Sequence, residues 1–535
     1  MRLLSTAPGL EEEFRRQHEL RSAYLEKQSR LWSSLLAGRR ETLVEEGDKR
    51  FAASEWRENP YYDYLRQSYL LAARYVQQVV ARAPLEAITK ERVGFVARQW
   101  LDAMCPANFA GTNPVVMRAA LETRGESLTR GLANLLADAK QGRIRQTDES
   151  AFEVGRNLAT TPGDVIFENE LIQLIQYRPT TGEVAKRPLV MIPPCINKYY
   201  ILDLQPESSF VGHAVAKGQT VFMVSWRNVG APQGHLGWDD YLEQGVFTAL
   251  RVAREIAASD TVNALGFCVG GTLLGAALAV MAAKGDHSVS SITLLAAMLD
   301  FTETGPIGLF VDEASVAARE ARLGGGGIFS GKELAFVFSA VRANDLVWPY
   351  VVNNYLLGGR PAAFDLLYWN ADSTNLPGPM YCYYLRNTYL ENKLRVPNAL
   401  TNCGVPVDLR KVELPLFALA TREDHIVPWR SAYRTLGLFG GDDKRFILGA
   451  SGHIAGVVNP TSKNRRSYWI GAACPARPDD WLAAAQEQKG SWWPVWDQWL
   501  ERHSGGRRRA PAQPGNVKHT VIEAAPGRYV KERIP

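Results

Sequence analysis

Cysteine is scarce in this sequence of 535 residues, and the few cysteines present do not form pairs. Six are scattered along the chain without a C-x-x-C motif or a regular spacing: Cys105, Cys195, Cys268, Cys382, Cys403 and Cys474. This pattern excludes a disulfide framework and predicts reduced thiols in a cytoplasmic protein. The glutamates at residues 11–13 occupy the place where a secretory signal would have its basic and apolar regions, so we expect no such signal.

Excess positive charge is also small, since the formal net charge is only +5 at pH 7. That excludes the dense basic stripe of a nucleic-acid-binding protein, although it suits an anionic ligand such as a nucleotide-bearing thioester. No pair of histidines or cysteines has the spacing of metal ligands, and no glycine-rich phosphate loop occurs. We therefore expect no metal, no bound cofactor and no nucleic-acid partner.

One uncharged run, Ala264–Ala283, is long enough to suggest a membrane span. Its first residues, however, continue a strand-like segment, Thr261–Phe267, and four glycines interrupt it: Gly266, Gly270, Gly271 and Gly275. A buried strand followed by a buried helix explains the run better, and we expect no transmembrane segment.

The length and a hydrophobic content of 46% predict two domains, or one large domain with an insertion. Residues 1–150 show helical periodicity in three stretches, Leu10–Glu45, Tyr61–Arg82 and Ile88–Met104, with no strands between them. They predict a mostly helical N-terminal domain. The mixed charges of Leu10–Glu45 favour a solvated helix or a partner contact over membrane binding.

From residue 151 onward the pattern changes to short apolar runs separated by helical stretches. After a predicted hairpin of Asp164–Phe167 and Leu171–Tyr177, the expected strands are Pro188–Ile192, Thr220–Trp226, Thr261–Phe267, Ser291–Ala297, Leu416–Ala420 and Arg445–Leu448. Such runs predict a parallel sheet covered by helices on both faces. The rhythm stops at residues 302–414, which we interpret as a cap inserted over the sheet. After Ser504 we expect a linker and a short basic tail.

The segment Gly266–Gly270 reads G-x-C-x-G, the nucleophile-elbow pattern with cysteine in place of serine. An apolar strand precedes it and a helical run follows, as the strand-turn-helix of such an elbow requires. The small residues on each side allow strand and helix to approach closely. Cys268 is therefore the candidate nucleophile of an α/β-hydrolase fold, with an inert buried cysteine as the alternative.

An elbow nucleophile predicts an acid and then a histidine, each after a later strand. Asp424 follows the strand Leu416–Ala420, and His453 follows the last predicted strand. Asp424 should hold the histidine in the correct tautomer, and His453 should accept the Cys268 proton. Glu423 is the alternative acid. His425, beside the acid, is either a group that supports the triad, a substrate contact or a structural histidine.

The oxyanion hole of this fold uses the backbone N–H after the nucleophile, here that of Val269. A second N–H should come from the loop that begins Pro193–Lys198, and both Cys195 and Ile196 qualify. The side chain of Cys195 is expected only to pack. These residues indicate a cysteine-dependent acyltransferase, because thioester exchange suits a thiolate and a cap would exclude water.

The chain closely resembles class I polyhydroxyalkanoate synthases, the PhaC family. The matching segments are Pro193–Pro206 (PPCINKYYILDLQP), Val224–Asn228 (VSWRN), Leu265–Thr272 (LGFCVGGT), Asn344–Tyr350 (NDLVWPY), Asn375–Pro379 (NLPGP), Arg422–Trp429 (REDHIVPW), Gly449–Asn459 (GASGHIAGVVN), Gly490–Trp493 (GSWW) and Pro526–Lys531 (PGRYVK). The resemblance extends from about Phe51 to the C-terminus.

The resemblance implies that (R)-3-hydroxyacyl-CoA, most simply 3-hydroxybutyryl-CoA, is polymerised into a storage polyester with release of CoA. It implies that Cys268 carries the acyl group and the growing chain. It assigns His453 as the base and Asp424 as the acid, which also helps to activate the attacking hydroxyl. It further implies a homodimer formed through the cap, residence on polymer granules and no separate partner subunit.

Two alternatives remain open from sequence. One is a hydrolase on the same scaffold, namely a thioesterase, lactone hydrolase or polyester depolymerase. The other is a non-catalytic granule coat or scaffold that uses the N-terminal helices, which could also contact granule-associated proteins. The tryptophans of residues 492–499 could touch polymer, but packing against the core is the favoured interpretation.

Overall fold

The structure is a computed structural model that describes residues 10–44 and 47–534. The chain divides into two compact units. One runs up to Asp148 and also includes Phe338–Ala363, and the other consists of Glu149–Val337 together with the chain from Phe364 onward. The sequence analysis predicts one inserted cap over residues 302–414. In the structure, residues 338–363 group with the N-terminal helices instead. The boundaries at 150, 302 and 414 stay predictions.

The N-terminal unit is built from α-helices. Its helices before Asp148 are α1 (Leu10–Leu36), α2 (Glu55–Glu58), α3 (Pro60–Arg82), α4 (Ala87–Ala103), α5 (Pro114–Glu122) and α6 (Glu126–Gln141). The predicted helices beginning at Tyr61 and Ile88 are confirmed to within a residue. The first helix ends at Leu36, earlier than predicted, because the chain turns at Gly38 with a φ of 65°. Glu45, the predicted end, lies outside the described residues.

Hydrogen bonds join α6 to the segment 338–363 within this unit. The Asn134 side-chain amide donates to the carbonyls of Asn354 (2.9 Å) and Gly359 (3.0 Å). The Tyr355 hydroxyl donates to the buried carboxylate of Asp138 at 2.7 Å. These bonds join chain segments more than 200 residues apart, which no local pattern in the sequence could indicate.

The second unit contains the strands. They are β1 (Gly163–Glu168), β2 (Ile172–Tyr177), β3 (Glu183–Ala185), β4 (Leu189–Ile192), β5 (Val221–Trp226), β6 (Val262–Phe267), β7 (Val289–Leu295), β8 (Ile328–Phe329), β9 (Leu376–Pro377), β10 (Thr401–Asn402), β11 (Val405–Pro406), β12 (Leu416–Thr421), β13 (Lys444–Gly449), β14 (Ser467–Ile470), β15 (Gln486–Lys489), β16 (Arg507–Arg509) and β17 (Glu523–Ala524). The main sheet has the order β15-β14-β13-β12-β7-β6-β4-β5-β2-β1-β17. All eight predicted strands are present in it.

The interior of this sheet, from β5 to β13, is parallel, as predicted. Its two edges are antiparallel, because β2, β1 and β17 extend one side and β14 and β15 extend the other. The interior strands are buried along almost their whole length, which explains their continuous apolar runs. Candidate residues that follow β4, β6, β12 and β13 therefore meet at one edge of the sheet.

The expectation of a linker after Ser504 is wrong. Arg507–Arg509 forms β16, which pairs with β3, and Glu523–Ala524 forms β17, which pairs with β1. The segment also forms an ion pair with β1, from Arg528 to Glu168, and an internal one from Arg528 to Glu523. Charge and proline suggested a solvated linker, but backbone pairing with distant strands gives the segment a regular structure.

Helices cover both faces of the sheet. They also make up most of the chain between β7 and β12, which we call the insertion. After α6 they are α7 (Phe210–Ala216), α8 (Trp238–Asp240), α9 (Thr248–Ala257), α10 (Val269–Ala283), α11 (Glu313–Leu323), α12 (Gly331–Val341), α13 (Ala343–Leu346), α14 (Trp348–Tyr350), α15 (Asp365–Ala371), α16 (Gly378–Tyr384), α17 (Trp429–Arg434), α18 (His453–Val457), α19 (Pro478–Ala484) and α20 (Trp493–Arg502). The uncharged run at 264–283 is confirmed as a buried strand, β6, followed by a buried helix, α10. None of the helices in the described ranges combines the length and hydropathy that a membrane crossing requires.

The tryptophan-rich segment packs inside the protein, as the favoured interpretation predicted. Trp492, Trp493, Trp496 and Trp499 are all 2% exposed or less. The indole N–H of Trp496 donates to the Thr293 hydroxyl at 3.0 Å, and that of Trp492 donates to the Gly456 carbonyl. With their polar atoms bonded and their rings buried, Trp492 and Trp496 have no surface left for a polymer.

Candidate active site

Cys268 stands between β6 and α10, at the turn where the chain reverses from strand to helix. Its backbone has φ 52° and ψ −129°, a left-handed conformation that costs free energy for a residue with a side chain. The surrounding hydrogen bonds hold it there. Its amide donates to the Leu295 carbonyl at 3.0 Å, and its own carbonyl accepts from the Gly271 amide at 2.9 Å. The conformation directs the thiol toward the carboxyl ends of the parallel strands.

Two glycines make this turn sterically possible. A β-carbon on Gly266 would lie 2.4 Å from the Cα of Gly271, so the strand and the helix could not approach as they do. A β-carbon on Gly270 would lie 2.2 Å from the Ile192 carbonyl oxygen and 2.5 Å from that of Pro193. The second approach brings the elbow against the end of β4, where the predicted oxyanion loop begins.

The structure places the two other predicted triad residues together. The Nδ1 atom of His453 lies 2.6 Å from Oδ2 of Asp424, although 28 residues separate them in the chain. The Asp424 side chain is fully buried, and its other oxygen accepts the amides of Ile426 and Val427, each at 2.9 Å. The Thr421 hydroxyl donates to Oδ2, the oxygen that faces His453, at 3.1 Å. These donors orient the carboxylate toward the imidazole.

Burial alone would lower the pKa of His453, since the side chain is only 6% exposed. The negative charges of Asp424 and Cys268, together with hydrogen bonds to both, overcome this effect and raise the pKa of His453 to about 10. An imidazolium is therefore stable between the two acidic partners. This arrangement can take a proton from the thiol and return it to a leaving group.

The alternative acid is not brought to the histidine. The Glu423 side chain is exposed, and its backbone amide donates to the Ser451 carbonyl at 3.0 Å. His425 follows Asp424 in the same loop and is half-buried, and its role stays a prediction. Two adjacent acids in one loop look alike in sequence, but the turn after β12 directs only the second toward His453.

The predicted oxyanion donors lie on both sides of the elbow. Val269 is the first residue of α10, so its N–H has no partner earlier in the helix. Cys195 and Ile196 lie in the loop after β4, beside the elbow. Within residues 10–44 and 47–534, neither of their amides donates to the backbone of another residue. Burial raises the pKa of the Cys195 thiol, and the charge of Cys268 raises it further, which suits a packing role.

Two aromatic contributions to the site were not predicted. The ring of Phe267, the residue before the nucleophile, stacks on the His453 imidazole with centroids 5.5 Å apart. Tyr384 and Tyr389, from the insertion, lie near the thiol. Burial is the main reason that the pKa of each tyrosine rises, and the charge of Cys268 adds to both shifts. In the sequence, the only sign of these two tyrosines is the high number of aromatic residues at positions 381–389.

Two family models match the chain. The model described as the N-terminus of poly-beta-hydroxybutyrate polymerase (PhaC) matches residues 47–214, and the one described as alpha/beta hydrolase fold matches residues 188–460. The second covers β4 to α18 and therefore every residue of the candidate triad. It confirms the predicted fold class.

Curated proteins match over nearly the whole chain. The poly(3-hydroxyalkanoate) polymerase subunit PhaC of Cupriavidus necator is 52% identical, covering 96% of this chain and 88% of its own. The corresponding subunit of Rhizobium etli is 43% identical, covering 91% and 77%. The poly(3-hydroxyalkanoate) polymerase of Methylorubrum extorquens is 43% identical, covering 94% and 84%.

Solved structures match over about half of the chain. A monoacylglycerol lipase of Paleococcus ferrophilus is 11% identical with a TM-score of 0.34, covering 53% of this chain and 90% of its own. A bromoperoxidase of Bacillus anthracis is 15% identical with a TM-score of 0.32, covering 55% and 94%.

The raised pKa of His453 predicts how stability depends on pH. A histidine in the unfolded chain loses its proton near pH 6.5, whereas the folded protein holds it to about pH 10. The pair with Asp424 therefore stabilises the fold fully below about pH 6.5 and loses this effect as the pH rises through about 10. Asp424→Asn should lower the free energy of unfolding most at pH 6 and progressively less toward pH 10. Urea unfolding at each pH measures this difference.

Glu423→Gln is the matched control, because it removes the neighbouring, exposed carboxylate. The difference in the free energy of unfolding between this variant and the wild type should stay constant over the same pH range. If the cost of Asp424→Asn were equally constant, the proton on His453 would not be held by Asp424.

Proposed function

The chain belongs to the poly(3-hydroxyalkanoate) polymerase family, and we propose that it polymerises (R)-3-hydroxyacyl-CoA into a storage polyester with release of CoA. The observation that carries this proposal is the identity of 52% with a curated polymerase over 96% of the chain. A cysteine nucleophile with a bonded His–Asp pair supports it, because that arrangement suits exchange between thioesters. The protein is then an acyltransferase built on an α/β-hydrolase fold.

In the proposed first step, Cys268 becomes acylated. With the proton of the Cys268 thiol held on His453, the sulfur attacks the thioester carbonyl of the substrate. The N–H of Val269 and one amide of the loop 193–198 would bind the oxyanion that forms. The carbon–sulfur bond to CoA then breaks, and His453 returns its proton to the departing CoA thiolate.

In the second step, an ester bond forms. A 3-hydroxyl group gives its proton to His453 and attacks the acyl carbonyl held on Cys268. Asp424 supports this step because it stabilises the imidazolium and fixes its orientation. The carbon–sulfur bond to Cys268 then breaks, and His453 returns its proton to the Cys268 sulfur. The new ester leaves the cysteine free, and the next CoA thioester reloads it. Repetition of the two steps lengthens the polyester by one unit each time.

Burial at the site favours transfer over hydrolysis. Cys268 is 9% exposed and His453 is 6% exposed. Tyr384, Tyr389 and Phe301 form a group of rings next to the nucleophile, with the last two centroids 5.0 Å apart. A site that excludes water protects an acyl-enzyme until a hydroxyl group arrives. A hydrolase on this scaffold would need room for water there.

The short four-carbon unit is the proposed substrate. The family model that matches residues 47–214 is described with poly-beta-hydroxybutyrate, which supports 3-hydroxybutyryl-CoA. Closely packed aromatic rings beside Cys268 are consistent with a small acyl group.

The decisive experiment is incubation of the purified protein with 3-hydroxybutyryl-CoA. We expect free CoA together with an insoluble polyester, measured by thiol titration and by methanolysis of the pellet. Free CoA with only 3-hydroxybutyrate in solution would indicate the thioesterase alternative instead. Cys268→Ala should lower CoA release by on the order of 10⁴-fold or more, because the triad acts as a unit.

Cys474→Ala is the matched control for that substitution, since Cys474 is half-buried and donates to the carbonyl of Lys444, the first residue of β13. It should retain full activity. Full activity in Cys268→Ala would support the non-catalytic scaffold instead.

We also propose that the protein resides on polymer granules through its N-terminal helices. Four leucines at helical spacing form one stripe along α6 and are 37% to 58% exposed: Leu128, Leu132, Leu135 and Leu136. On α4, Val96 and Trp100 are more than half exposed. Apolar faces of this kind suit a polyester surface or an apolar partner protein on the granule.

Replacing Leu132 and Leu136 together by glutamate should therefore lower the fraction of the protein that sediments with polymer granules. Burying two carboxylates against an apolar surface is unfavourable, whereas the leucines gain from burial. The control is Ala133→Glu with Gln141→Glu, which adds the same charge at exposed positions of α6 outside the leucine stripe. If equal fractions of the two double variants sedimented with the granules, the result would contradict the proposal.

A homodimer formed through the insertion is proposed as well. Phe336 is 74% exposed and Phe364 is 50% exposed, and a second copy would bury both. Light scattering should give twice the chain mass for the wild type and a lower mass for Phe336→Asp with Phe364→Asp. Phe14→Asp, at another exposed phenylalanine, should leave the mass unchanged. A wild type that is monomeric at micromolar concentration would overturn this proposal.

A further inference from the structure

The loop 193–198, which carries the candidate oxyanion amides, is held by hydrogen bonds from a short segment of the insertion. The Thr374 hydroxyl donates to the Cys195 carbonyl at 2.6 Å, and the Thr374 amide donates to the Ile196 carbonyl at 3.1 Å. The indole N–H of Trp369 donates to the Lys198 carbonyl at 2.7 Å. Three carbonyls of the loop are therefore bound by residues nearly 180 positions later in the chain.

The first of these bonds determines the direction of an N–H group. The carbonyl of Cys195 and the amide of Ile196 belong to one planar, trans peptide group, in which C=O and N–H point in opposite directions. Because the Thr374 hydroxyl holds the oxygen, the N–H of Ile196 must point away from Thr374. This N–H donates to no group in the described part of the chain. It is oriented and available to bind an oxyanion.

The surroundings make Thr374 a rigid support. Its side chain is 1% exposed and Cys195 is 2% exposed, so water does not compete for the bond between them. The segment is anchored on both sides of Thr374. Ser373 forms a β-bridge with Asn197, and the Asn375 amide donates to the Asn228 side chain at 3.0 Å. A threonine hydroxyl held this firmly can fix the peptide that it binds.

We propose that Thr374 is a positioning residue of the oxyanion hole, and that it orients the Ile196 N–H as the second donor beside Val269. The inference rests on the proposed function, because it concerns the same thioester chemistry at Cys268. It selects Ile196 over Cys195, a choice that the sequence left open. It also makes a residue of the insertion part of the support for catalysis, in addition to any role in excluding water.

Two reactions of Cys268 separate this role from a merely structural one. Acylation by a thioester builds negative charge on a carbonyl oxygen and needs the oxyanion donors. Alkylation by iodoacetamide displaces iodide at a saturated carbon, where no oxyanion forms, although it still needs an activated thiol. A residue that positions only an oxyanion donor should change the first rate and leave the second unchanged.

The test compares Thr374→Val, which lacks the hydroxyl but keeps the shape, with Thr374→Ser, which keeps the hydroxyl. Loss of a complete oxyanion donor costs about 10²–10³ in rate, so a misdirected donor should cost on the order of tenfold. We expect Thr374→Val to acylate Cys268 about tenfold more slowly with 3-hydroxybutyryl-CoA, with unchanged KM and unchanged iodoacetamide alkylation. Thr374→Ser should acylate within about twofold of the wild-type rate. Rapid quenching and mass spectrometry measure both modifications.

Thr374→Ala gives a second measurement if the valine variant does not fold, because it removes the hydroxyl without placing a methyl group against the Cys195 carbonyl. Acylation at the wild-type rate in a folded variant without the hydroxyl would overturn the proposal. A parallel loss of alkylation would overturn it too, since the residue would then act through the thiol or the fold. Acylation precedes both polymer formation and hydrolysis, so a wild type that released only free acid would contradict the proposed function and leave this test intact.

Discussion

The left-handed backbone of Cys268 is the constraint on which the rest of the site depends. A residue with a side chain adopts this conformation only where its surroundings enforce it. Here β6 and α10 meet closely enough that Gly266 has no room for a β-carbon, and α10 approaches the end of β4 so closely that Gly270 has none either. The same close approach brings the end of β4 beside the elbow. The thiol, the first N–H of α10 and the loop 193–198 therefore share one small region of space.

The electrostatics of the site follow from this geometry. The imidazole of His453 is buried between a carboxylate and a thiol, and burial by itself would remove its proton. The charges of Asp424 and Cys268, together with hydrogen bonds to both, outweigh burial and keep the proton in place. Two amides and the hydroxyl of Thr421 orient the buried Asp424. A proton held on an oriented imidazole suits a reaction in which thiolate leaving groups must be protonated twice in every cycle.

The insertion contributes to the site in two physically different ways. Tyr384 and Tyr389 add half-buried rings beside the nucleophile, which lowers the access of water. Thr374 and Trp369 bond to the carbonyls of the loop after β4, which gives that loop a defined orientation. A further part of the insertion, 338–363, belongs to the N-terminal unit through its bonds to α6. Neighbouring segments of the insertion thus belong to different units and have different structural roles.

The sequence by itself determined the strands of the sheet interior, the elbow at Cys268 and the later positions of Asp424 and His453. These features depend on local periodicity, on glycines beside one residue and on the order of strands, all of which a single chain displays. Only the tertiary structure placed Asp424, rather than Glu423, against His453, paired residues 507–509 with β3 and brought Thr374 to the loop after β4. Such outcomes depend on hydrogen bonds between residues far apart in the chain. Local side-chain patterns do not identify the partners in those bonds.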